Sequence, residues 1–130
     1  DALLARTDVP VMFVCLRSDQ APDVMVRAAE AGKHIIVEKP TFMKPSEANY
    51  VFNLGLKNNV KIFPVFQNRY NKAVQRVRRA VVEGELGDIR IVSVRVRWCR
   101  PQKYYDLAPW RGTFSHDGGA LTNQGIHQRG

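Results

Sequence analysis

The pattern of hydrophobic positions in the first half of the chain predicts alternating strands and helices. Residues 9–16 (VPVMFVCL) form an uninterrupted apolar run, which is typical of a parallel strand covered on both faces. Residues 22–32 (PDVMVRAAEAG) then predict a helix, with Pro22 in its first turn and Gly32 at its C-terminal end. Residues 34–37 (HIIV) predict a second buried strand. Such a βαβ unit implies parallel strands.

The same alternation continues to about residue 66. Pro45 and Glu47 open a second predicted helix, which ends near Asn58. The apolar face of this helix consists of Ala48, Val51, Phe52 and Leu56. Residues 60–66 (VKIFPVF) predict a third strand. We therefore predict an α/β fold that begins part-way through a doubly wound parallel sheet.

The pattern changes after residue 68. Asn71 is placed to cap a helix over residues 72–83, which carries a clear apolar stripe. Residues 89–98 (IRIVSVRVRW) alternate apolar and polar side chains, which predicts a half-solvated strand of an antiparallel sheet. We therefore expect two incomplete domains: residues 1–68 end a Rossmann-type domain, and residues 69–130 begin an α+β domain with a mixed sheet.

Composition and charge narrow the functional classes. The 130 residues are 45% hydrophobic and 25% charged, as in a globular domain, and no apolar run approaches the ~18–20 residues of a membrane-spanning helix. The net charge is +8, and the segment from Arg69 to Arg111 holds eleven Lys and Arg residues against four Asp and Glu. A solvated basic face and a pocket for an anionic small molecule both explain this excess. We predict no nucleic-acid partner, because no nucleic-acid recognition motif accompanies the charge. We predict no membrane partner, because no apolar run is long enough to span a bilayer.

The cysteines bear on metal binding and on the cellular environment, and the chain ends bear on the extent of the protein. Cys15 and Cys99 lack the spacing of a metal site, so we predict no metal, a buried Cys15 and a reducing, cytoplasmic environment. The chain begins without Met and ends in mid-pattern at QGIHQRG. We therefore expect an internal fragment of a longer protein, inactive by itself.

Two groups of residues are candidates for chemistry. Glu38, Lys39 and Pro40 follow the second predicted strand directly, at the sheet edge where ligands bind in open α/β folds. A lysine there can bind a substrate oxygen, although a solvated turn explains the same three residues. In the second group, a tight glycine turn precedes a predicted helix with Asn123 and His127 on one face. A histidine can act as general base for an alcohol, although a buried structural histidine is the alternative.

Four motifs together resemble one known family. AGKHIIVEKP, FQNRYN, GELGDI and WRGTFSHDGGALTNQGIH occur in this order and resemble the Gfo/Idh/MocA family of nicotinamide-dependent sugar dehydrogenases along nearly the whole chain. Within that family, the later motifs are most similar to the UDP-N-acetyl-2-amino-2-deoxyglucuronate dehydrogenases. These bacterial enzymes oxidise the 3-hydroxyl group of a nucleotide-linked sugar acid for polysaccharide biosynthesis. The resemblance implies a homo-oligomer, a dimer or tetramer, assembled through the second domain.

The resemblance also implies roles for single residues. Lys39 matches the lysine that contacts the nicotinamide ribose and the reacting hydroxyl, and His127 matches the acid/base, while Asn123 stands where the family often has Asp. His127, with Lys39, would take the hydroxyl proton while hydride leaves to nicotinamide C4. The implied cofactor contacts are Ser18, Glu38, Lys39, Pro40, Gln67, Asn68, Trp110 and Arg111. Arg100, beside Tyr104, is our candidate for binding the diphosphate or carboxylate of the substrate.

Some of these expectations are open. Leu16 and Arg17 replace the family's usual Thr-Pro pair, and Ala21 replaces a histidine, so that only Ser18 keeps a polar role in this loop. The resemblance implies NAD as cofactor without distinguishing it from NADP. The alternatives in function are a dehydrogenase of a free sugar or cyclitol, and a cofactor-sensing regulator without catalysis.

Overall fold

The computed structural model describes residues 2–128, in which a small parallel sheet precedes a mainly helical segment. The first elements are β1 (Val11–Val14), α1 (Ala21–Glu30), β2 (His34–Val37), α2 (Pro45–Lys57) and β3 (Ile62–Pro64). The strand order is β1-β2-β3 and both pairs are parallel, with Phe13, Ile36 and Phe63 in register. The predicted βαβ arrangement of parallel strands is therefore confirmed.

Helices α1 and α2 pack together on one face of this sheet. The largest fully buried side chains of the resulting core are Met25, Ile35, Val37 and Val51. Alternate side chains of a strand point to the other face, and there Phe13 is 59% exposed and Phe63 is also exposed. The prediction that the first strand is covered on both faces is wrong, because the described helices contact only one. Cys15, just after β1, is likewise exposed rather than buried.

The second half begins with a well-capped helix. A 3₁₀ turn (Gln67–Tyr70) leads into α3 (Lys72–Val82). The Asn71 side chain accepts a hydrogen bond of 3.0 Å from the backbone N–H of Ala73, which confirms the predicted cap. The stripe of apolar residues on α3 is largely exposed in the described structure, with only Ala80 buried.

Residues 89–98 do not form the predicted strand. The described structure has no helix or strand there, and Ile91 is 86% exposed. A strand is stable only when its backbone is hydrogen-bonded to a neighbour, since an isolated one leaves its N–H and C=O groups to water. Within residues 2–128 no partner strand lies beside this segment. In the described part of the chain, the alternating pattern therefore has no neighbouring strand with which to pair.

The last elements are short helical turns that reach back to the sheet. They are α4 (Gln102–Tyr105), α5 (Phe114–Asp117), α6 (Gly119–Asn123) and a 3₁₀ turn (Gly125–Gln128). Gly118 and Gly119 have φ values of +71° and +79°, which confirms the predicted tight turn between α5 and α6. The predicted helix across Asn123 and His127 is interrupted between these residues. None of the helices in residues 2–128 has the length and apolar character needed to cross a bilayer.

Candidate functional site

A cleft of about 250 Å³ lies beyond the carboxyl ends of β1 and β2. Nine of the predicted site residues line it: Ser18, Lys39, Pro40, Arg100, Tyr104, Trp110, Arg111, Asn123 and His127. They come from the loops after two neighbouring strands and from the second half, where they lie both in the short helical turns and between them. The structure therefore brings together side chains that are up to 109 positions apart, from Ser18 to His127.

Lys39 is held by Asn123. Its Nζ donates hydrogen bonds to the backbone carbonyl of Asn123 at 2.9 Å and to the side-chain Oδ1 at 3.0 Å. Burial lowers the pKa of Lys39, and the nearby Arg100 lowers it further, while the carboxylates of Glu38 and Asp117 raise it. The two contacts direct the ammonium group into the cleft.

His127 lines the same cleft. Its ring makes an edge contact with the ring of Trp98, with 5.9 Å between centroids. Burial lowers the pKa of His127, and the positive charges of Lys39 and Arg100 lower it further, against an opposing effect of Glu38. The imidazole is therefore neutral at neutral pH and can accept a proton.

Two arginines lie over aromatic rings in or beside the cleft. The guanidinium carbon of Arg100 lies 5.4 Å from the ring centre of Trp98 and 5.0 Å from that of Tyr104. Arg111 lies over the rings of Tyr104 and Trp110, and its Nη1 donates to the Tyr104 hydroxyl at 2.7 Å. The buried Nε of Arg111 has no hydrogen-bond partner in the described part of the chain. Such stacked guanidinium groups keep donors free for phosphate or carboxylate oxygens.

A third arginine stands where the sequence departs from the family pattern. Arg17 lines the cleft and holds Asp19 with two hydrogen bonds of 3.0 and 2.8 Å. The pKa of Asp19 is lowered, chiefly by these bonds. His116 Nδ1 lies 3.0 Å from the same carboxylate and so connects α5 to the loop after β1. Sequence reasoning assigned no role to Asp19 or His116, because nothing local signals a contact between residues 97 positions apart.

Three predicted site residues do not line the cleft. Glu38 is half-buried beside it and accepts a hydrogen bond of 3.2 Å from the backbone N–H of Lys39. Gln67 is exposed. Asn68 donates to the backbone carbonyl of His127 at 3.1 Å, so that it supports the histidine from behind. The cofactor contacts predicted for these three residues stay predictions.

Asp117 is a cleft residue that the sequence analysis did not select. It is 7% exposed, and its carboxylate accepts a hydrogen bond of 2.9 Å from the backbone N–H of Gly112 and another from Asn123 Nδ2. Its position directly before Gly118 could have indicated this role. A glycine turn that brings the backbone close to a ligand also brings the neighbouring side chains close to that ligand.

The lining suits the nicotinamide end of a dinucleotide. Leu16 and Pro40 supply apolar wall for a flat ring, the buried Ser18 supplies a hydroxyl, and the unpaired Nε of Arg111 is a free donor for a phosphate oxygen. Among the described residues no group of three or more His, Cys, Asp or Glu side chains could hold a metal ion.

Comparison with known proteins gives a consistent result. The profile described as "Oxidoreductase family, NAD-binding Rossmann fold" matches residues 1–66, and that of the "GFO/IDH/MocA C-terminal domain" matches residues 74–129. The crystal structure of the WlbA dehydrogenase from Chromobacterium violaceum, in complex with NADH and UDP-GlcNAcA, is 38% identical with a TM-score of 0.90, over 98% of this chain and 37% of that one.

Two curated relatives from Escherichia coli K12 cover nearly the whole chain. The uncharacterized oxidoreductase YhhX is 30% identical over 98% of this chain and 35% of its own length. D-glucoside 3-dehydrogenase is 29% identical over 97% of this chain and 35% of its own length. The chain thus spans about a third of the length of the proteins it matches.

Proposed function

The chain belongs to the Gfo/Idh/MocA family of oxidoreductases, with part of an NAD-binding Rossmann domain in its first half, and from this premise we propose that the intact protein oxidises the 3-hydroxyl group of a UDP-N-acetylglucosaminuronic-acid-type nucleotide sugar. The observation that carries the proposal is the convergence of Lys39, Asn123 and His127 in one cleft at the carboxyl end of the sheet. We also place the boundary between the two domains at residues 68 and 69.

Two side chains of the cleft have different roles at the substrate hydroxyl group. The neutral imidazole of His127 accepts the hydroxyl proton, since its lowered pKa keeps it unprotonated at neutral pH. The ammonium group of Lys39 donates a hydrogen bond to the same oxygen and stabilises the negative charge that develops there. Asn123 fixes Lys39 through its two contacts. Bound NAD supplies the hydride-accepting chemistry.

The charges of the cleft favour an acidic substrate. Arg17, Arg100, Arg111 and Lys39 line it, against the single carboxylate of Asp117 among its lining residues. A nucleotide sugar acid offers a diphosphate and a carboxylate, which are the groups that guanidinium forks bind bidentately. The similarity to a dehydrogenase crystallised with NADH and UDP-GlcNAcA supports the same class of substrate.

The test is turnover of the intact protein with UDP-N-acetylglucosaminuronic acid and NAD, followed as NADH formation. Lys39→Ala and His127→Ala are each expected to lower turnover by about 10²-fold or more, as expected for the loss of an acid/base group. Lys57→Ala, on the exposed end of α2, and His34→Ala, at the amino end of β2, are the matched controls and should keep parental turnover. Near-parental turnover of both cleft variants would refute the assignment.

A second candidate is oxidation of an uncharged sugar, which the similarity to D-glucoside 3-dehydrogenase favours. A panel containing the nucleotide sugar acid, the free sugar acid, a glucoside and a cyclitol separates the two. A higher kcat/KM for the glucoside or cyclitol would support this candidate. Binding of NAD by the intact protein without turnover of any substrate would instead support a cofactor-sensing regulator.

A further inference from the structure

We propose that Asp117 is a positioning residue, whose carboxylate fixes the orientation of the Asn123 amide and, through it, the place of the Lys39 ammonium group in the cleft. The inference deepens the proposed function and rests on it only in so far as Lys39 acts on the substrate. Its basis is a chain of contacts through residues 117, 123 and 39 in the described structure.

The first step is the orientation of the amide. A carboxylate can only accept hydrogen bonds, so the Asn123 group facing Asp117 must be the NH₂, and the structure has Nδ2 donating to Oδ1 of Asp117. This leaves Oδ1 of Asn123 to accept from Lys39 Nζ at 3.0 Å. The flipped amide would set its oxygen against a carboxylate and its NH₂ against an ammonium group. Asp117 therefore selects the one orientation that binds Lys39.

The second step is the fixed position of Asp117 itself. Its side chain is buried, its other oxygen accepts from the backbone N–H of Gly112 at 2.9 Å, and its own N–H donates to the Thr113 carbonyl at 2.8 Å. Gly118 follows in the left-handed conformation, where a Cβ atom would lie 2.8 Å from Thr122. The carboxylate cannot move without breaking these contacts.

The third step is the charge around Lys39. The groups that act on its ammonium are Glu38 and Asp117, which raise the pKa of Lys39, and Arg100, which lowers it together with burial. His127 lines the same cleft, and the positive charge of Lys39 lowers the pKa of His127. Asp117 is thus one of two carboxylates that offset the burial of this cation, and the one that also orients its acceptor.

Asp117→Asn tests the proposal in the intact protein. The variant removes the charge and places an NH₂ group against Gly112 or Asn123, so the pKa of Lys39 should fall. That pKa is measured without reference to catalysis, from the pH dependence of amine modification at Lys39 read by mass spectrometry. Asp106→Asn, which removes an equal charge from an exposed turn, is the control and should leave it unchanged. An unchanged or raised pKa of Lys39 in the Asp117 variant would overturn the proposal.

A double-variant cycle distinguishes positioning from general support of the fold. Asp117→Asn should lower kcat by about 10-fold or more with little change in KM, since a small displacement of an acting group costs rate. In an Asn123→Ala background, where Asp117 has no amide to orient, the same substitution should cost less than about 2-fold. Equal costs in both backgrounds would overturn the proposal. If the intact protein turns over none of the substrates but the pKa of Lys39 still falls in the Asp117 variant, the proposed reaction is refuted while the positioning role is supported.

Discussion

Charged side chains in the cleft shift the pKa values of their neighbours. His127 and Lys39 both have a pKa lowered by burial, and each is also lowered by the positive charge of Arg100. Because the ordinary pKa of histidine is 6.5, a lowered value keeps the imidazole of His127 available as a base throughout the neutral range. The folded pKa of His127 lies below its unfolded value of 6.5, so the unfolded chain takes up this proton first as the pH falls. The contribution of His127 to the free energy of unfolding is therefore fully present above pH 6.5 and is lost as the pH falls through the folded pKa.

The pH profile of kcat/KM should report this arrangement. The proposed oxidation needs the neutral imidazole, so the acid limb should lie below pH 6.5. Arg100→Gln removes a cation that lowers the pKa of both Lys39 and His127, and therefore should move that limb to higher pH. Arg90→Gln, an exposed arginine outside the cleft, should leave it in place. A limb that stays or moves to lower pH in the Arg100 variant would contradict the electrostatic account.

At this scale, the sequence indicated the two side chains that we propose to act on the substrate, Lys39 and His127, but not the residues that contact or flank them. Lys39 and His127 were candidates because a strand end and a titratable side chain carry local signals. Arg17, Asp19 and Asp117 were not, since their roles depend on partners that a one-dimensional pattern does not place beside them. The predicted contacts of Glu38 and Gln67 with the cofactor stay predictions.

The short elements α5 and α6 each supply a residue that lines the cleft. Asp117 ends α5 and Asn123 ends α6, and Gly118 turns the chain between them with φ at +71°. A Cβ atom at this glycine would lie 2.8 Å from Thr122 Cγ2 and 2.9 Å from Met43 Cε. Both the backbone conformation and the space therefore require glycine here.

Gly118→Ala should destabilise the intact protein by about 2–4 kcal/mol, the sum of left-handed strain and crowding. Gly84→Ala is the matched control, because Gly84 has a φ of +74° but open space around its missing Cβ. It should cost only the ~1–2 kcal/mol of backbone strain. Denaturant unfolding of the two variants measures both values. An equal loss of stability in the two would show that crowding at Gly118 contributes nothing.

At the scale of the whole molecule, four of the twenty Lys and Arg side chains lie at the candidate site. The chain has a net charge of +8, and three arginines and a lysine line one cleft. Such an arrangement attracts an anionic ligand over distances of about a Debye length, ~10 Å at 0.1 M salt. Charge alone allowed either a solvated face or an anion pocket. Of the eleven Lys and Arg residues from Arg69 to Arg111, the structure places Arg100 and Arg111 at the cleft and leaves the other nine exposed to solvent.

Salt should therefore weaken substrate binding more than catalysis. Raising ionic strength from about 0.05 to about 0.5 M should raise KM for the UDP-sugar acid several-fold and leave kcat nearly unchanged, because screening acts on the approach of the charged substrate. The KM of an uncharged sugar, where turnover is measurable, serves as the comparison and should not change. Equal salt sensitivity of the two substrates would contradict a role of the cleft cations in binding charge.

The sequence by itself determined the local elements and the family. Apolar runs and helical periodicity located three strands, both long helices and the helix that Asn71 caps, because each of these signals lies within a few neighbouring residues. Tertiary structure decided what depends on distant partners. It left residues 89–98 without a strand, exposed Phe13 and Cys15, and joined Lys39 to Asn123 across 84 positions. Burial and convergence are properties of packing, and packing is not local.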